Sequence, residues 1–330
     1  MSSPETLALA DPIATVRTGA RLTGIGSRLP EQVIANSEIA ARAGVDETWI
    51  LRRTGISSRR RAGDRSELVD LAAAAAGAAL ADGGGDAATI DLVLLATVSQ
   101  ERPMPNGAPQ VAAAIGASRA AAFDLGAACS GFLYGLGAAC AFIESGRARQ
   151  VLLIGADLLS LQTDPADRMT APLFGDGAGA VLLSASAETA PWTIELGADG
   201  SGAGLVENDR ERGVIKMKGH DTFVQAVSRM SAATRGVCAR AGVALADVDL
   251  FVFHQANARI TRALAERLEL PSSRVVDCIA ELGNTSAASI PLALAHARDD
   301  GLLAGGEKVL VCAVGAGLTW GAALIDWDGR

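Results

Sequence analysis

Short apolar runs alternate with longer Ala-rich runs along this 330-residue chain. A strand buried inside a parallel sheet is apolar throughout, and a crossover helix must carry the chain back before the next parallel strand begins. The alternation therefore predicts an α/β protein with mostly parallel sheets covered by helices. The predicted strands are 90–98, 120–125, 150–155, 177–183, 248–253, 308–314 and 321–327, and the predicted helices include 66–80, 223–242, 258–268 and 286–298.

The order of elements in the second half resembles that of the first half, although the residues differ. A duplicated unit repeats its element order, so the similarity predicts two related α/β halves. We expect the N-terminal half at residues 18–186 and the C-terminal half at residues 187–330, separated by the turn-rich stretch 184–192. Residues 1–17 lack the basic-then-apolar pattern of a signal peptide, and we expect them to be a flexible tail.

The composition is that of a packed protein with an acidic balance. Hydrophobic residues make up 49% and charged residues 20%, and the formal net charge is −8. This charge argues against a broad nucleic-acid surface. The five cysteines include no C-x-x-C pair and are odd in number, which favours reduced thiols in the cytoplasm over a disulfide framework or a metal site.

The segment 125–143 carries no charge and is long enough to span a bilayer. It also contains four glycines, Ser130 and two cysteines. Helices that are apolar on every face also occur in the cores of large proteins. We therefore predict a buried helix entered from a strand, and no association with a membrane.

Three polar side chains lie where predicted elements begin or end. Cys129 comes between the strand 120–125 and a helix, where free amide donors and the helix dipole would stabilise a thiolate. His254 directly follows the strand 248–253, a position where α/β proteins place their chemistry. Asn284 precedes the helix 286–298. A thiol, an imidazole and a carboxamide are the parts of an acyl-transfer site built on a covalent thioester.

Each of these residues also has a structural interpretation. His254 would otherwise be a hydrogen-bonded core residue, and Asn284 would otherwise be an N-cap. The run 59–61, three arginines, is either a solvated turn or part of a surface for an acidic partner. A cysteine in an apolar helix is usually a small packing residue, and we interpret the other four thiols in that way: Cys140, Cys238, Cys278 and Cys312.

Together these motifs resemble the thiolase-superfamily condensing enzymes, specifically β-ketoacyl-ACP synthase III and its starter-unit relatives in polyketide pathways. The resemblance extends over residues 21–327. It implies a five-layered αβαβα fold made of two pseudo-duplicated halves, which works as a homodimer without a cofactor. It is carried by Trp49, Arg53-Thr54-Gly55-Ile56, the Cys129 motif, Asp167-Arg168, Phe174-Gly175-Asp176-Gly177-Ala178-Gly179, His254-Gln255-Ala256-Asn257, Gly283-Asn284-Thr285-Ser286-Ala287-Ala288-Ser289 and Gly315-Ala316-Gly317-Leu318-Thr319-Trp320-Gly321.

The resemblance implies that Cys129 is the nucleophile and that His254 and Asn284 complete a catalytic triad. The backbone N–H groups of Cys129 and Ala316 would stabilise the oxyanion. Coenzyme A would contact Trp49, Arg53, Arg168, Gly219 and Arg259, with Trp49 and Arg168 on the two faces of its adenine. The acyl pocket would include Met104, Phe174, Met217 and Val314, with Met104 reaching into the pocket of a second subunit.

The implied reaction is a decarboxylating Claisen condensation of an acyl-CoA starter with malonyl-ACP through an acyl-Cys129 thioester, so the partners are an acyl-CoA, a malonyl thioester and an acyl carrier protein. Asn284 favours this reaction, because a carboxamide can donate to an enolate and a carboxylate would repel it. The alternative is an acyltransferase of secondary metabolism that moves an acyl group without decarboxylation. A silent partner subunit would be expected to lose the thiol.

Overall fold

The structure is a computed structural model that describes residues 18–102, 104–209 and 211–328. The predicted tail, 1–17, lies outside the described residues. The strands are β1 (Gly19–Arg28), β2 (Gln32–Ala35), β3 (Ser58–Arg61), β4 (Leu92–Ala96), β5 (Ala121–Leu125), β6 (Gln150–Leu158), β7 (Asp176–Ser186), β8 (Thr193–Ala198), β9 (Val206–Asp209), β10 (Val214–Met217), β11 (Leu250–Phe253), β12 (Glu307–Gly315) and β13 (Thr319–Trp327). The α-helices are α1 (Asn36–Ala43), α2 (Glu47–Thr54), α3 (Glu67–Gly83), α4 (Gly107–Ala114), α5 (Gly131–Glu144), α6 (Gly219–Ala241), α7 (Ala258–Leu268), α8 (Ile279–Leu282) and α9 (Ser289–Asp299).

Two large sheets share one strand order. The first sheet runs β1-β7-β6-β4-β5, and the second runs β8-β13-β12-β11. In the second sheet, a parallel bridge between Phe251 and Val275 takes the position that β5 has at the edge of the first sheet. The matching order supports the predicted pseudo-duplication of an α/β unit.

The prediction of mostly parallel sheets is wrong in part. Strands β4, β5 and β6 are parallel to one another, as are β11 and β12. The last strand of each half, β7 or β13, pairs antiparallel with both of its neighbours. β13 follows β12 after a short turn, which can only reverse the chain, and β7 follows β6 through the segment 159–175, which contains no α-helix to carry the chain across the sheet.

The helices form three layers around the two sheets. Helices α5 and α9 are packed between the sheets, where their side chains share one apolar cluster with β6 and β12. Helices α3 and α4 cover the outer face of the first sheet, and α6 and α7 cover the outer face of the second. Along β6, Val151 and Leu153 face the central layer while Leu152 and Ile154 face the outer layer, as strand periodicity requires. The five-layered αβαβα fold is therefore confirmed.

The uncharged segment forms the buried helix that was predicted. Helix α5 contributes Phe132, Leu136 and Ile143 to the layer between the sheets. Within the described ranges, no helix combines the length and the hydropathy that crossing a membrane requires.

Both interpretations of the arginine run fail for Arg59. This side chain is 1% exposed, and it donates to Asn36 Oδ1 at 2.9 Å and to the carbonyl oxygens of Ile34 and Pro172. Burial lowers its pKa to about 10. Arg59 thus holds the β2–β3 hairpin against the segment before β7, and it is not part of a surface.

Glycine allows β1 to lie directly against α3. A Cβ at Gly26 would overlap the backbone of Ala75 and Ala79. We expect Gly26→Ala to lower the free energy of unfolding by about 1–3 kcal/mol, because the added methyl forces the strand and the helix apart. Chemical denaturation measures the change. Gly77→Ala in the same helix is the control: its Cβ meets nothing within 4 Å, and helix propensity should raise stability by about 1 kcal/mol. Equal stability of both variants would contradict the packing account.

Candidate active site

One cavity of about 760 Å³ is lined by Cys129, His254 and Asn284 together. Cys129 follows β5 of the first sheet, and His254 follows β11 of the second. Asn284 comes after α8, where its backbone N–H donates to Leu173 O at 2.8 Å and its carbonyl accepts from Gly175 N at 3.0 Å. The fold thus brings together three side chains that are separated by up to 155 positions, as the numbers 129 and 284 give.

Cys129 lies in a single 3-10 turn, Ala128–Ser130, directly before α5. Cys129 was expected in the first turn of the α-helix, and it lies instead in the short turn before that helix. Gly315 at the end of β12 packs against this turn, since a Cβ there would lie 2.9 Å from Cys129 N and 2.7 Å from Ala127 O. Thr319 Oγ1, at the start of β13, donates to Ala127 O at 3.0 Å. The nucleophile candidate thus follows a strand of the first sheet and is held by two strands of the second.

The resting thiol is protonated, contrary to the expectation from its helix end. Burial raises the pKa of Cys129 to about 11, and the nearby carboxylate of Asp157 adds to the rise. The Ser286 hydroxyl and the local backbone N–H lower the pKa without offsetting the burial. Desolvation disfavours the charged form of the sulfur more than the helix end stabilises it.

His254 is uncharged in the same cavity. It is 1% exposed, and burial lowers its pKa to about 4. Its backbone N–H donates to Cys312 O at 2.8 Å, which continues the β11–β12 pairing by one residue. Nδ1 is buried without a hydrogen-bond partner among the described residues. The ring is therefore a neutral group that can offer one N–H to a ligand.

The Asn284 carboxamide has a fixed orientation. Its Oδ1 accepts the backbone N–H of Ser286 at 2.9 Å. Because a backbone N–H only donates, the oxygen must face Ser286 and the Nδ2 donors must face away from it. Asn284 is thus both a backbone cap and a cavity residue with N–H groups available.

The residues predicted to contact coenzyme A all line the same cavity: Trp49, Arg53, Arg168, Gly219 and Arg259. Arg53 lies 5.6 Å over the Trp49 ring. Asn257 joins α2 to α7, because its Nδ2 donates to Arg53 O at 3.2 Å and its Oδ1 accepts from Arg259 N at 2.9 Å. In this structure Arg53 therefore occupies one face of Trp49, the residue that the resemblance places against the adenine.

Three of the four predicted acyl-pocket residues line the cavity, namely Phe174, Met217 and Val314. Ala316, predicted for the oxyanion site, lines it as well. Met104 does not, and its side chain is 79% exposed. A contact of Met104 with a second subunit, as the resemblance implies, requires an exposed side chain of this kind.

The sequence reading missed the hairpin that closes one side of the cavity. Strands β9 and β10 pair antiparallel, and Val206, Ile215 and Met217 line the cavity from this hairpin. Asn208 Nδ2 donates to Gln162 Oε1 at 3.1 Å, which ties the hairpin to the segment after β6. Neither 206–209 nor 214–217 alternates between apolar and polar residues, so the sequence carried no strand signal for this hairpin.

Two polar residues behind Cys129 were also missed. Ser286 lines the cavity, and Asp157 is buried at the end of β6. Ser286 belongs to the motif around Asn284, and Asp157 lies two residues after the predicted strand 150–155. The position of Asp157 at a strand end was a signal of the kind that singled out His254.

Comparisons with known proteins agree with this geometry. The family model described as 3-oxoacyl-(acyl-carrier-protein) synthase III matches residues 123–200, and the model of its C-terminal part matches residues 238–327. A β-ketoacyl-(acyl-carrier-protein) synthase III of Streptomyces coelicolor is 48% identical over 316 residues, covering 95% of each chain. One from Geobacillus kaustophilus is 42% identical and covers 94% of this chain and 99% of its own.

The comparison with solved structures finds enzymes of the same description. The 3-oxoacyl-(acyl carrier protein) synthase III of Pseudomonas aeruginosa has a TM-score of 0.90 and 45% identity, covering 94% of this chain and 98% of that chain. The priming β-ketosynthase of a polyketide biosynthetic pathway has a TM-score of 0.90 and 35% identity, covering 95% and 98%.

The raised pKa of Cys129 predicts the pH dependence of its alkylation. Only the thiolate reacts with iodoacetamide, and the thiol of Cys129 has a pKa of about 11. The rate of labelling should therefore rise about tenfold per pH unit from pH 7 to pH 9. Peptide mass spectrometry assigns the label, with Cys129→Ser as the unlabelled control. A plateau below pH 8 would show that the helix end outweighs burial.

Proposed function

The chain belongs to the β-ketoacyl-(acyl-carrier-protein) synthase III family, and from that premise we propose that it condenses an acyl-CoA starter with malonyl-ACP to begin a fatty-acid or polyketide chain. The observation that carries the proposal is the single cavity that holds a thiol, a neutral imidazole and an oriented carboxamide. Cys129 is the nucleophile of the proposal, and His254 and Asn284 are its two enolate donors.

In the first half-reaction, the Cys129 sulfur attacks the carbonyl carbon of the acyl-CoA thioester. A tetrahedral oxyanion forms, which the backbone N–H groups of Cys129 and Ala316 would stabilise. The carbon–sulfur bond to coenzyme A then breaks, and the coenzyme A thiol leaves with the proton that Cys129 gave up. The acyl group remains on Cys129 as a thioester.

In the second half-reaction, malonyl-ACP loses carbon dioxide and leaves an enolate on its thioester. N–H groups of His254 and Asn284 would donate to the enolate oxygen. The enolate carbon attacks the acyl carbonyl, the bond to the Cys129 sulfur breaks, and β-ketoacyl-ACP leaves. A neutral His254 can fill this role, because the neutral imidazole still carries one N–H that can donate.

The substrates would enter along the exposed end of the cavity. Trp49, Arg53, Arg168, Gly219 and Arg259 would bind coenzyme A. Helix α7 carries three arginines that would bind an acidic carrier protein, namely Arg259, Arg262 and Arg267. Glu266 on the same helix reduces the positive charge. Phe174, Met217 and Val314 would surround the starter acyl group.

A homodimer in the cytoplasm completes the proposal. Strand β5 is an edge of the first sheet. Two large apolar side chains are exposed here: Phe123 on β5 to 38%, and Met104 to 79%. An unpaired edge with large exposed apolar side chains is suited to a second copy, into whose pocket Met104 would reach. All five cysteines are free thiols, which fits a reducing compartment.

The reaction is tested with carboxyl-labelled malonyl-ACP and a panel of acyl-CoA starters. We expect labelled carbon dioxide in the same amount as β-ketoacyl-ACP, detected by intact mass of the carrier protein. Cys129→Ala should abolish both the acyl adduct on the protein and the product. Cys140→Ala, which removes a buried thiol of α5 outside the cavity, should retain both. Acyl transfer without label release would instead support the acyltransferase.

Asn284→Asp separates the two half-reactions. The carboxylate can still accept the N–H of Ser286, so the local backbone should be retained, but it cannot donate to the enolate. We expect condensation to fall on the order of a hundredfold or more, as for loss of one oxyanion donor. Acyl loading of Cys129, measured by intact mass, should remain. Unchanged condensation would remove Asn284 from the mechanism.

A further inference from the structure

One wall of the cavity is built by a hairpin and a turn. Strands β9 and β10 form the hairpin, and the 3-10 turn Leu159–Gln162 follows β6. In the register of the hairpin, Val206 lies opposite Met217. Asn208, two residues further along β9, lies opposite Ile215. Opposed residues of an antiparallel pair, and alternate residues of one strand, point to the same face. These four side chains therefore share the face of the hairpin that lines the cavity.

Along the turn and along β9, the residues that line the cavity change from apolar to polar. On the turn, Leu159 is followed three residues later by Gln162, and residues three apart lie on the same side of a 3-10 helix. On β9, Val206 is followed two residues later by Asn208. Leu159 and Val206 pack in one apolar cluster. The wall thus has an apolar level, at which Leu159 and Val206 lie, and a level of two carboxamides beyond it.

The apolar level adjoins the candidate catalytic groups. Its cluster includes Phe174, and the backbone of Phe174 forms a parallel bridge with that of Asn284. We call the part of the cavity between Leu159, Phe174 and Val206 the acyl arm. An acyl group on Cys129 would extend along this arm, away from Asn284 and toward the two carboxamides.

The carboxamides are held by a chain of two hydrogen bonds. Gln162 is 5% exposed, and its Nε2 donates to the carbonyl oxygen of Val98 at 3.3 Å. Because a carbonyl oxygen only accepts, this bond directs Oε1 of Gln162 toward the hairpin, where it accepts from Asn208 Nδ2 at 3.1 Å. Val98, Gln162 and Asn208 come from three separate segments, and all three line the cavity. The polar groups at this level are therefore paired with one another.

We propose that Gln162 and Asn208 are specificity-determining residues that end the acyl arm and limit the length of an unbranched acyl starter. The inference rests on the proposed function, which places the acyl group on Cys129. A chain that ends beside Leu159 and Val206 meets apolar side chains. A longer chain must part the hydrogen bond between the two carboxamides and leave an N–H and an oxygen without partners, which costs free energy.

A second link ties the same hairpin to the same segment outside the cavity. Arg212, in the turn between β9 and β10, forms an ion pair with Asp164, which lies two residues after Gln162. Neither Arg212 nor Asp164 lines the cavity. Loss of this ion pair would loosen the hairpin and leave the carboxamides in place. Arg212→Ala is therefore the matched control for a change of the wall itself.

The test compares the loading of a long and a short acyl group onto Cys129. Decanoyl-CoA and butyryl-CoA are supplied together, and the intact mass of the protein gives the ratio of the two adducts. Gln162→Ala should raise the ratio of decanoyl to butyryl adduct about tenfold or more, since one methylene in an apolar pocket already changes selectivity by such a factor. Asn208→Ala should raise it by a smaller factor, because Gln162 stays bonded to Val98 O. Arg212→Ala should leave the ratio unchanged.

Gln162→Asn serves if Gln162→Ala does not fold, as thermal unfolding shows. It keeps a carboxamide and shortens the side chain by one methylene, so the ratio should rise here too. An unchanged ratio in a folded Gln162 variant overturns the proposal. An equal rise in Arg212→Ala also overturns it, because the effect would then come from a looser hairpin.

Alkyl methanethiosulfonates test the length limit of the acyl arm without coenzyme A. The Cys129 sulfur takes the alkylthio group to form a mixed disulfide, and methanesulfinate and the thiol proton are released. The ratio of decyl to butyl labelling, assigned by peptide mass, should rise in Gln162→Ala and stay the same in Arg212→Ala. No shift in Gln162→Ala would overturn the inference. A shift in this ratio without any loading by acyl-CoA would contradict the proposed function and support the length limit.

Discussion

Contacts between backbone segments at glycines hold the whole site together. Gly315 lies against the N–H of Cys129, Gly155 lies against the turn of Ser286, and Gly175 lies against the carbonyl of Leu282. At each point a Cβ would meet backbone atoms that cannot move aside. Residues from both sheets therefore approach one cavity more closely than side-chain packing would allow. The three chemical groups face one another because the chain between them lacks side chains at these contacts.

The same close packing determines the charge state of the site. Burial raises the pKa of Cys129 to about 11 and lowers that of His254 to about 4. A resting thiolate–imidazolium pair is therefore disfavoured, since desolvation opposes both ions. In such a site charge develops only while a substrate is reacting, when fixed N–H donors stabilise it most.

The sequence was sufficient for the layered α/β fold, because buried strands and Ala-rich helices differ in period and composition. It missed β1, whose Gly24 and Gly26 weaken the strand pattern for the same reason that they permit contact with α3. It also missed the direction of β7 and β13, since apolar runs of antiparallel and parallel central strands look alike when both faces are buried. The Arg59 interpretation failed because three adjacent arginines suggest solvent, whereas β3 buries the first of them.

Within the site, the sequence singled out residues by their type and by their position at the end of an element. It missed residues that only the fold brings close to the others. Cys129, His254 and Asn284 could be recognised by type and position. Asp157 and Ser286 are ordinary residues until the fold brings the end of β6 against the turn Ser286–Ala288. The two interpretations of Asn284 also turn out to be compatible. Its oxygen caps the turn of Ser286, and that bond is what directs its nitrogen elsewhere. Because a carboxamide has an oxygen that accepts and a nitrogen that donates, one residue can cap a turn and also offer N–H groups to the cavity.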